Sequence, residues 1–327
     1  MKQFALLFGL LITFAGQAQL DAAKAYGNTI EEQDLKELLY VYASDYFQGR
    51  ETGTLGQKRA VTFLREFYQN RNIKAAQGTT DYFQSMELDI KGTPVQTENV
   101  VAIIEGSTLP EEYIVISSHL DHEGIKNGEI YNGADDDGSG SVALLEIAEA
   151  FQAAVEAGNG PKRSIIFLHV SGEEKGLLGS RYYTDNPLYP LANTVANLNI
   201  DMVGRTDPKR ESDNDNYIYL IGSDRLSTEL HQVSEAANKA TVNLTLDYTY
   251  NAEDDPNRFY FRSDHYNFAK NNIPVIFYFN GTHADYHKPT DTVEKIRYDL
   301  LTQRAQLVFY TAWELANREK RIVINKK

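Results

Sequence analysis

The chain is 327 residues long, contains no cysteine, and carries 46 acidic against 32 basic residues, for a formal net charge of −14. With no Lys/Arg block or stripe to offset it, that charge disfavours nucleic acid and other polyanions as partners. The missing cysteines exclude disulfides, thiol nucleophiles, iron–sulfur clusters and cysteine-based zinc sites, so any metal must be held by His, Asp and Glu.

The N-terminus, MKQFALLFGLLITFAGQAQ, has Lys2 as a positive start, an apolar run from Phe4 to Phe14, and small residues up to Ala18. This is the pattern of a secretory signal peptide over residues 1–18, cleaved near Ala18. The run is short for the roughly 20 residues that cross a bilayer. No later stretch is long and apolar enough, so no membrane span is expected in the mature chain. The protein is expected to be exported, to a periplasm or the medium.

The rest, 19–327, reads as a single domain. Residues 29–42 have the apolar spacing of an amphipathic helix (Ile30, Leu35, Leu38, Leu39, Tyr42), and Gly49, Gly53 and Gly56 break it. A second helix is expected from about Gln57 to Gln69, so that about 29–75 forms an N-terminal helical segment packing on the core. From residue 100 onward the pattern changes. YIVISSH (113–119), SIIFLHV (164–170), VANLNIDMV (195–203), YIYLIG (217–222) and PVIFYF (274–279) are short β-rich apolar runs. Helical stretches separate them, most clearly residues 141–157. A last helix is expected from Asp291 to about Asn317, with Glu294 closing a capping box. Apolar strands alternating with helices predict an α/β fold, a three-layer α/β/α sandwich around a central mixed, largely parallel sheet.

Several of these runs lead into ionisable residues. YIVISSH ends in His119-Leu120-Asp121-His122. Next comes GADDDGSG, with Asp135, Asp136 and Asp137 side by side. SIIFLHV leads into Glu173-Glu174, VANLNI into Asp201, and PVIFYF through Asn280 to His283, Asp285 and His287. Each piece alone reads as a turn or a solvated loop. Together they deliver His, Asp and Glu to the carboxyl edge of one sheet, where ligands of open α/β folds bind. Zinc takes imidazole and carboxylate where thiolate is absent. Two metals a few ångströms apart need a bridging carboxylate, which the acidic loop can supply, and one of two adjacent glutamates can bind metal while the other serves as a base. His169, inside a strand, reads as a core residue, and ESDNDN (211–216) as a polar turn.

The ordered series HLD, GADDDGSG, SGEEKGLLGS, LNIDMVG and DYHKPTDT resembles the motifs of metallopeptidase family 28, the secreted co-catalytic zinc aminopeptidases. ASDYFQGRETGTLGQKRAVTFL and YFRSDHYNFAKNNIPVIFY resemble further segments of bacterial members. The resemblance covers most of the chain and implies a zinc-exopeptidase-like fold, peptide substrates and two Zn2+ per chain. It implies His119 and Glu174 on one zinc, Asp201 and His287 on the other, and Asp136 bridging. It also implies Asp121 as the orienter of His119 and Glu173 as the general base. Asp264, His265 and His283 are expected near the substrate pocket. The implied activity is hydrolysis of N-terminal residues through a di-zinc-activated water. Two alternatives share the scaffold: a single-zinc glutaminyl cyclase, and a carboxypeptidase for acidic C-terminal residues. The latter needs arginine in the pocket, and the candidates near the motifs are Arg181, Arg205, Arg258 and Arg262.

Overall fold

The computed structural model describes residues 21–326. A nine-stranded mixed sheet runs in the order β1-β3-β7-β4-β8-β11-β9-β10, with β2 paired to β3. Its strands are β1 (Lys74–Ala75), β2 (Phe83–Ile90), β3 (Thr93–Ile104), β4 (Leu109–His119), β7 (Arg163–Val170), β8 (Thr194–Ile200), β9 (Tyr217–Ile221), β10 (Thr245–Asp247) and β11 (Val275–Phe279). The central four, β7-β4-β8-β11, are mutually parallel. Strands β1, β2 and β3 are antiparallel additions on one side, and β9 turns antiparallel to β11 on the other. The hairpin β5 (Gly124–Lys126) and β6 (Glu129–Tyr131) stands apart.

Because strand side chains alternate between faces, the buried runs split into two cores. Val100, Ala102, Ile104, Ile114, Ile116, Ile165 and Phe167 face one way. They meet the apolar sides of α1 (Glu32–Tyr42), α2 (Leu55–Asn70), α3 (Gly140–Glu156) and α7 (Tyr298–Asn317), with Leu230 of α5 (Thr228–Ala240) in the same cluster. Val101, Ile103, Tyr113, Val115, Ile166 and Leu168 face the other way, against Tyr183 of α4 (Leu178–Asp185) and Phe268 of α6 (His265–Ala269). This is the three-layer sandwich. Strand β7 is buried along its whole length, as a parallel strand covered on both faces must be.

The N-terminal helices form close to the expected places. Helix α2 starts two residues early because Thr54 caps it, accepting from the Gln57 N–H. The C-terminal helix departs from expectation. It starts at Tyr298, not Asp291, and only a short 3-10 turn, Val293–Lys295, precedes it. Asp291 is not a cap: its buried carboxylate accepts from the N–H groups of Asp135 and Asp136 instead.

Candidate active site

The parallel strands carry their last residues to one edge. His119 ends β4, Asp201 follows β8 directly, Glu173 and Glu174 follow β7, and His287 lies on the loop after β11. The acidic loop between β6 and α3 comes in from the side. Its glycines have distinct tasks. Gly133 sits at φ +54°, a region costly for residues with a Cβ. A Cβ on Gly140 would lie 2.3 Å from Asp137 Oδ1, so only glycine lets that carboxylate fold back over the start of α3.

Asp136 is the centre of the arrangement. Its Oδ1 lies 3.1 Å from His119 Nε2, and its Oδ2 lies 3.1 Å from His287 Nε2. Asp201 Oδ1 is 3.6 Å from His119 Nε2, and Glu174 Oε2 is 3.2 Å from His287 Nε2. The pairing is therefore His119 with Asp201 and His287 with Glu174, which corrects the expected His119–Glu174 and Asp201–His287 pairs. Asp136 stands between the two pairs. Its flanking carboxylates hold the frame. Asp137 accepts from the N–H groups of His119, Gly140 and Met202. Asp135 accepts from the Gly204 N–H and Ser139 Oγ.

The two adjacent glutamates sit in different surroundings. Glu174 is gripped by His287 and by His122, whose Nδ1 lies 2.8 Å from Glu174 Oε1. The Glu173 carboxylate lines the cleft and makes no hydrogen bond or ion pair among the described residues. Burial holds the Glu173 carboxyl well above the usual range. Burial and the charge of Asp136 push Glu174 the same way, yet His122 and His287 bring it down to about 2. Burial lowers His287, but Asp136 and Glu174 outweigh it and raise that imidazole to about 10.

Asp121 acts differently from the expectation. The near contact of His119 Nδ1 is the Asp121 backbone carbonyl, at 3.0 Å, with the carboxylate at 3.9 Å. The carboxylate instead accepts from Thr52 Oγ1 and from the Glu173 N–H, so it holds Glu173 in place. The three residues expected at the substrate pocket lie away from its lining. Asp264 is buried and accepts from Ser180 Oγ. His265 is stacked on Phe277 with ring centroids 4.7 Å apart. His283 faces Asp135, with Nε2 3.1 Å from Oδ2. Their neighbour Ser263 is the one that reaches the site, donating to Asp201 Oδ2 at 2.6 Å. His169 lies between Tyr68 Oη and Ser118 Oγ, as expected of a core histidine. His231 is half-buried and contacts Ser223.

His122 is the residue that reading the motifs overlooked. The run HLDH displayed it, but its neighbour His119 absorbed the metal-ligand role. The cleft is walled by Met202, Phe259, Phe277, Phe279 and Tyr286, with Tyr286 stacked on His287 at 3.9 Å. Met202 and His287 both adopt left-handed backbone, at φ +56° and +53°, a conformation that concentrates at functional sites.

These residues fit a metal. His122 Nδ1, Asp136 Oδ2 and Glu174 Oε1 are buried and close to one another without the geometry of hydrogen bonds. Such convergent, unsatisfied nitrogen and oxygen atoms are what a bound cation would satisfy. Three compact groups of ligand atoms lie here: His122, Asp136 and Glu174; His119, Asp137 and Asp201; and Glu123, Glu174 and His287.

The model of peptidase family M28 matches residues 99–312. The chain belongs to peptidase family M28. It is 27% identical over 305 residues to a probable leucine aminopeptidase of Arthroderma otae, covering 89% of this chain and 78% of that protein. Among solved structures, the Legionella pneumophila LapA aminopeptidase superposes with a TM-score of 0.71 at 21% identity, over 92% of this chain and 75% of that one. Porphyromonas gingivalis glutaminyl cyclase superposes with a TM-score of 0.68 at 21% identity, over 86% of this chain and 98% of that one. This fold is thus found in both an aminopeptidase and a glutaminyl cyclase.

Proposed function

We propose that this M28 chain is a di-zinc aminopeptidase that removes N-terminal residues from peptides. The observation that supports this most is Asp136, with one carboxylate oxygen facing His119 and the other facing His287. His119 and Asp201 would hold one ion, His287 and Glu174 the other, with Asp136 shared. Ions held there would supply Lewis-acid polarisation of a scissile carbonyl and a lowered pKa for a water in the cleft.

The chain's own groups supply the rest. Glu173, held at its backbone by Asp121 and free at its carboxylate, takes the proton of the attacking water and returns it to the leaving amine nitrogen. The free α-amine of the substrate sits against the acidic edge of the cleft. Its side chain lies on Met202, Phe259, Phe277 and Phe279. A signal peptide over residues 1–18, which lie outside the described residues, would place the enzyme in a periplasm or the medium.

The test is hydrolysis of leucyl-p-nitroanilide against its N-acetyl counterpart by the zinc-loaded enzyme. Cleavage of the free amine alone is expected. Equal rates on both would sink the aminopeptidase reading. Cyclisation of an N-terminal glutamine without hydrolysis would assign the glutaminyl cyclase reaction.

A further inference from the structure

Arg262 lines the same cleft as His119, Asp136, Glu173 and Asp201. Its guanidinium lies over the Phe259 ring at 4.8 Å and is exposed to solvent. Among the described residues it makes no side-chain hydrogen bond and no ion pair. The other arginines near the motifs differ. Arg205 is tied to Asp285 and lies near Asp291. Arg258 lies over Phe261, in a separate surface hollow. Arg181 is not part of the cleft lining. In a chain with a net charge of −14, a cation left unpaired beside a carboxylate-rich centre is conspicuous. The protein has carboxylates to spare, yet none is brought within 4.0 Å of this one.

A guanidinium offers parallel N–H donors that match a carboxylate, and its stacking on an aromatic face fixes the plane of the fork. Phe259 provides that face, while Phe277, Phe279 and Met202 make the surrounding wall apolar. An apolar wall with one fixed cation suits a short aliphatic stem that ends in an anion.

We propose that Arg262 is a carboxylate anchor in the substrate cleft, so that the preferred substrates carry a carboxylate close to the scissile bond. This rests on the peptidase reading above. The carboxylate can come from an acidic side chain on the N-terminal residue, or from the C-terminus of a dipeptide. Both present the same chemistry to the guanidinium, and substrate pairs tell them apart.

The experiment uses the zinc-loaded mature chain and its Arg262→Gln and Arg262→Lys variants, with metal content checked for each. It measures kcat/KM for glutamyl- against glutaminyl-p-nitroanilide and for Leu-Gly against Leu-Gly-amide. In the unmodified enzyme, the acid member of at least one pair is expected to be favoured about tenfold or more, the size of a charge-assisted hydrogen bond. Arg262→Gln should bring that ratio close to one, and Arg262→Lys should keep part of it. A response in the first pair assigns an N-terminal acidic residue; a response in the second assigns a C-terminal carboxylate. If neither acid is favoured, or if Arg262→Gln leaves the ratio unchanged, the anchor is overturned while the peptidase reading stands. If no amide bond is cleaved in any of the four substrates, both fail together.

Discussion

Asp201 Oδ1 lies 3.6 Å from His119 Nε2, although 81 residues, including helices α3 and α4 and strand β7, separate them. The contact exists because β4 and β8 are parallel neighbours in register, Ser117 opposite Asn199, so their carboxyl ends emerge side by side. Glu174, from the β7 side of β4, meets the loop after β11 instead. Asp136 touches both groups, and a ligand shared by two ions serves both. The Asp136→Ala variant should therefore lose zinc at both sites together, as read by elemental analysis after dialysis. A variant that keeps two tightly bound ions would remove the bridging assignment.

Arg50 binds the segments that carry His119 and Asp136 to each other. Fully buried, it donates to the carbonyls of Leu120, Asn132 and Gly133 and lies over the Tyr42 ring. Without it Leu120 keeps the Tyr42 hydroxyl and Gly133 the Gly138 N–H, but the Asn132 carbonyl loses its donor, and a buried unsatisfied group costs about 1–3 kcal/mol. Arg50→Ala should lower stability by roughly 1–3 kcal/mol in urea unfolding. It should also weaken zinc binding, because the HLD and acidic loops lose their common anchor. Unchanged stability would contradict the anchoring role of Arg50.

Glu146, on α3 and 4% exposed, makes no hydrogen bond or ion pair among the described residues. Burial first, then the charges of Glu149, Asp34 and Glu31, against the opposing Arg71, raise its carboxyl from 4.5 to about 8. The folded state thus holds a proton that the unfolded state releases, and linkage makes stability fall as pH rises from about 4.5 to about 8. Glu146→Gln removes the ionisation. Its thermal midpoint should exceed that of the unmodified protein at pH 8.5, with the difference shrinking towards pH 5. Parallel pH profiles for the two proteins would contradict this.

Much of the site was legible because its chemistry is local to strand ends. His119, Glu173, Glu174 and Asp201 each follow an apolar run closely, so the run and its terminus are read together. What the linear chain conceals is determined by sheet order. Strand β4 lies between β7 and β8, so His119 could have paired on either side, and only the return path of the 280–287 loop decides it. Asp291 has the spacing of a helix cap, but its carboxylate is recruited by the N–H groups of Asp135 and Asp136, and the helix starts seven residues later. Asp264 and His265 stand beside a site residue, Ser263, yet the short helix α6 turns both inward, where His265 packs on Phe277. His122 had the right residue type in the right motif. What was missing was any means of seeing that its imidazole comes within 2.8 Å of Glu174.

The division of labour between Glu173 and Glu174 is the centre of the account, and a paired measurement of zinc content and kcat on Glu173→Gln and Glu174→Gln tests it most directly. General acid–base catalysis is worth about 10²–10⁴-fold. Glu173→Gln should keep two zinc ions and lose roughly three orders of magnitude in kcat. Glu174→Gln, cut from the grip of His122 and His287, should lose zinc and recover part of its activity when zinc is added in excess. A Glu173→Gln enzyme that retains full kcat, or the two phenotypes exchanged, would contradict the assignment.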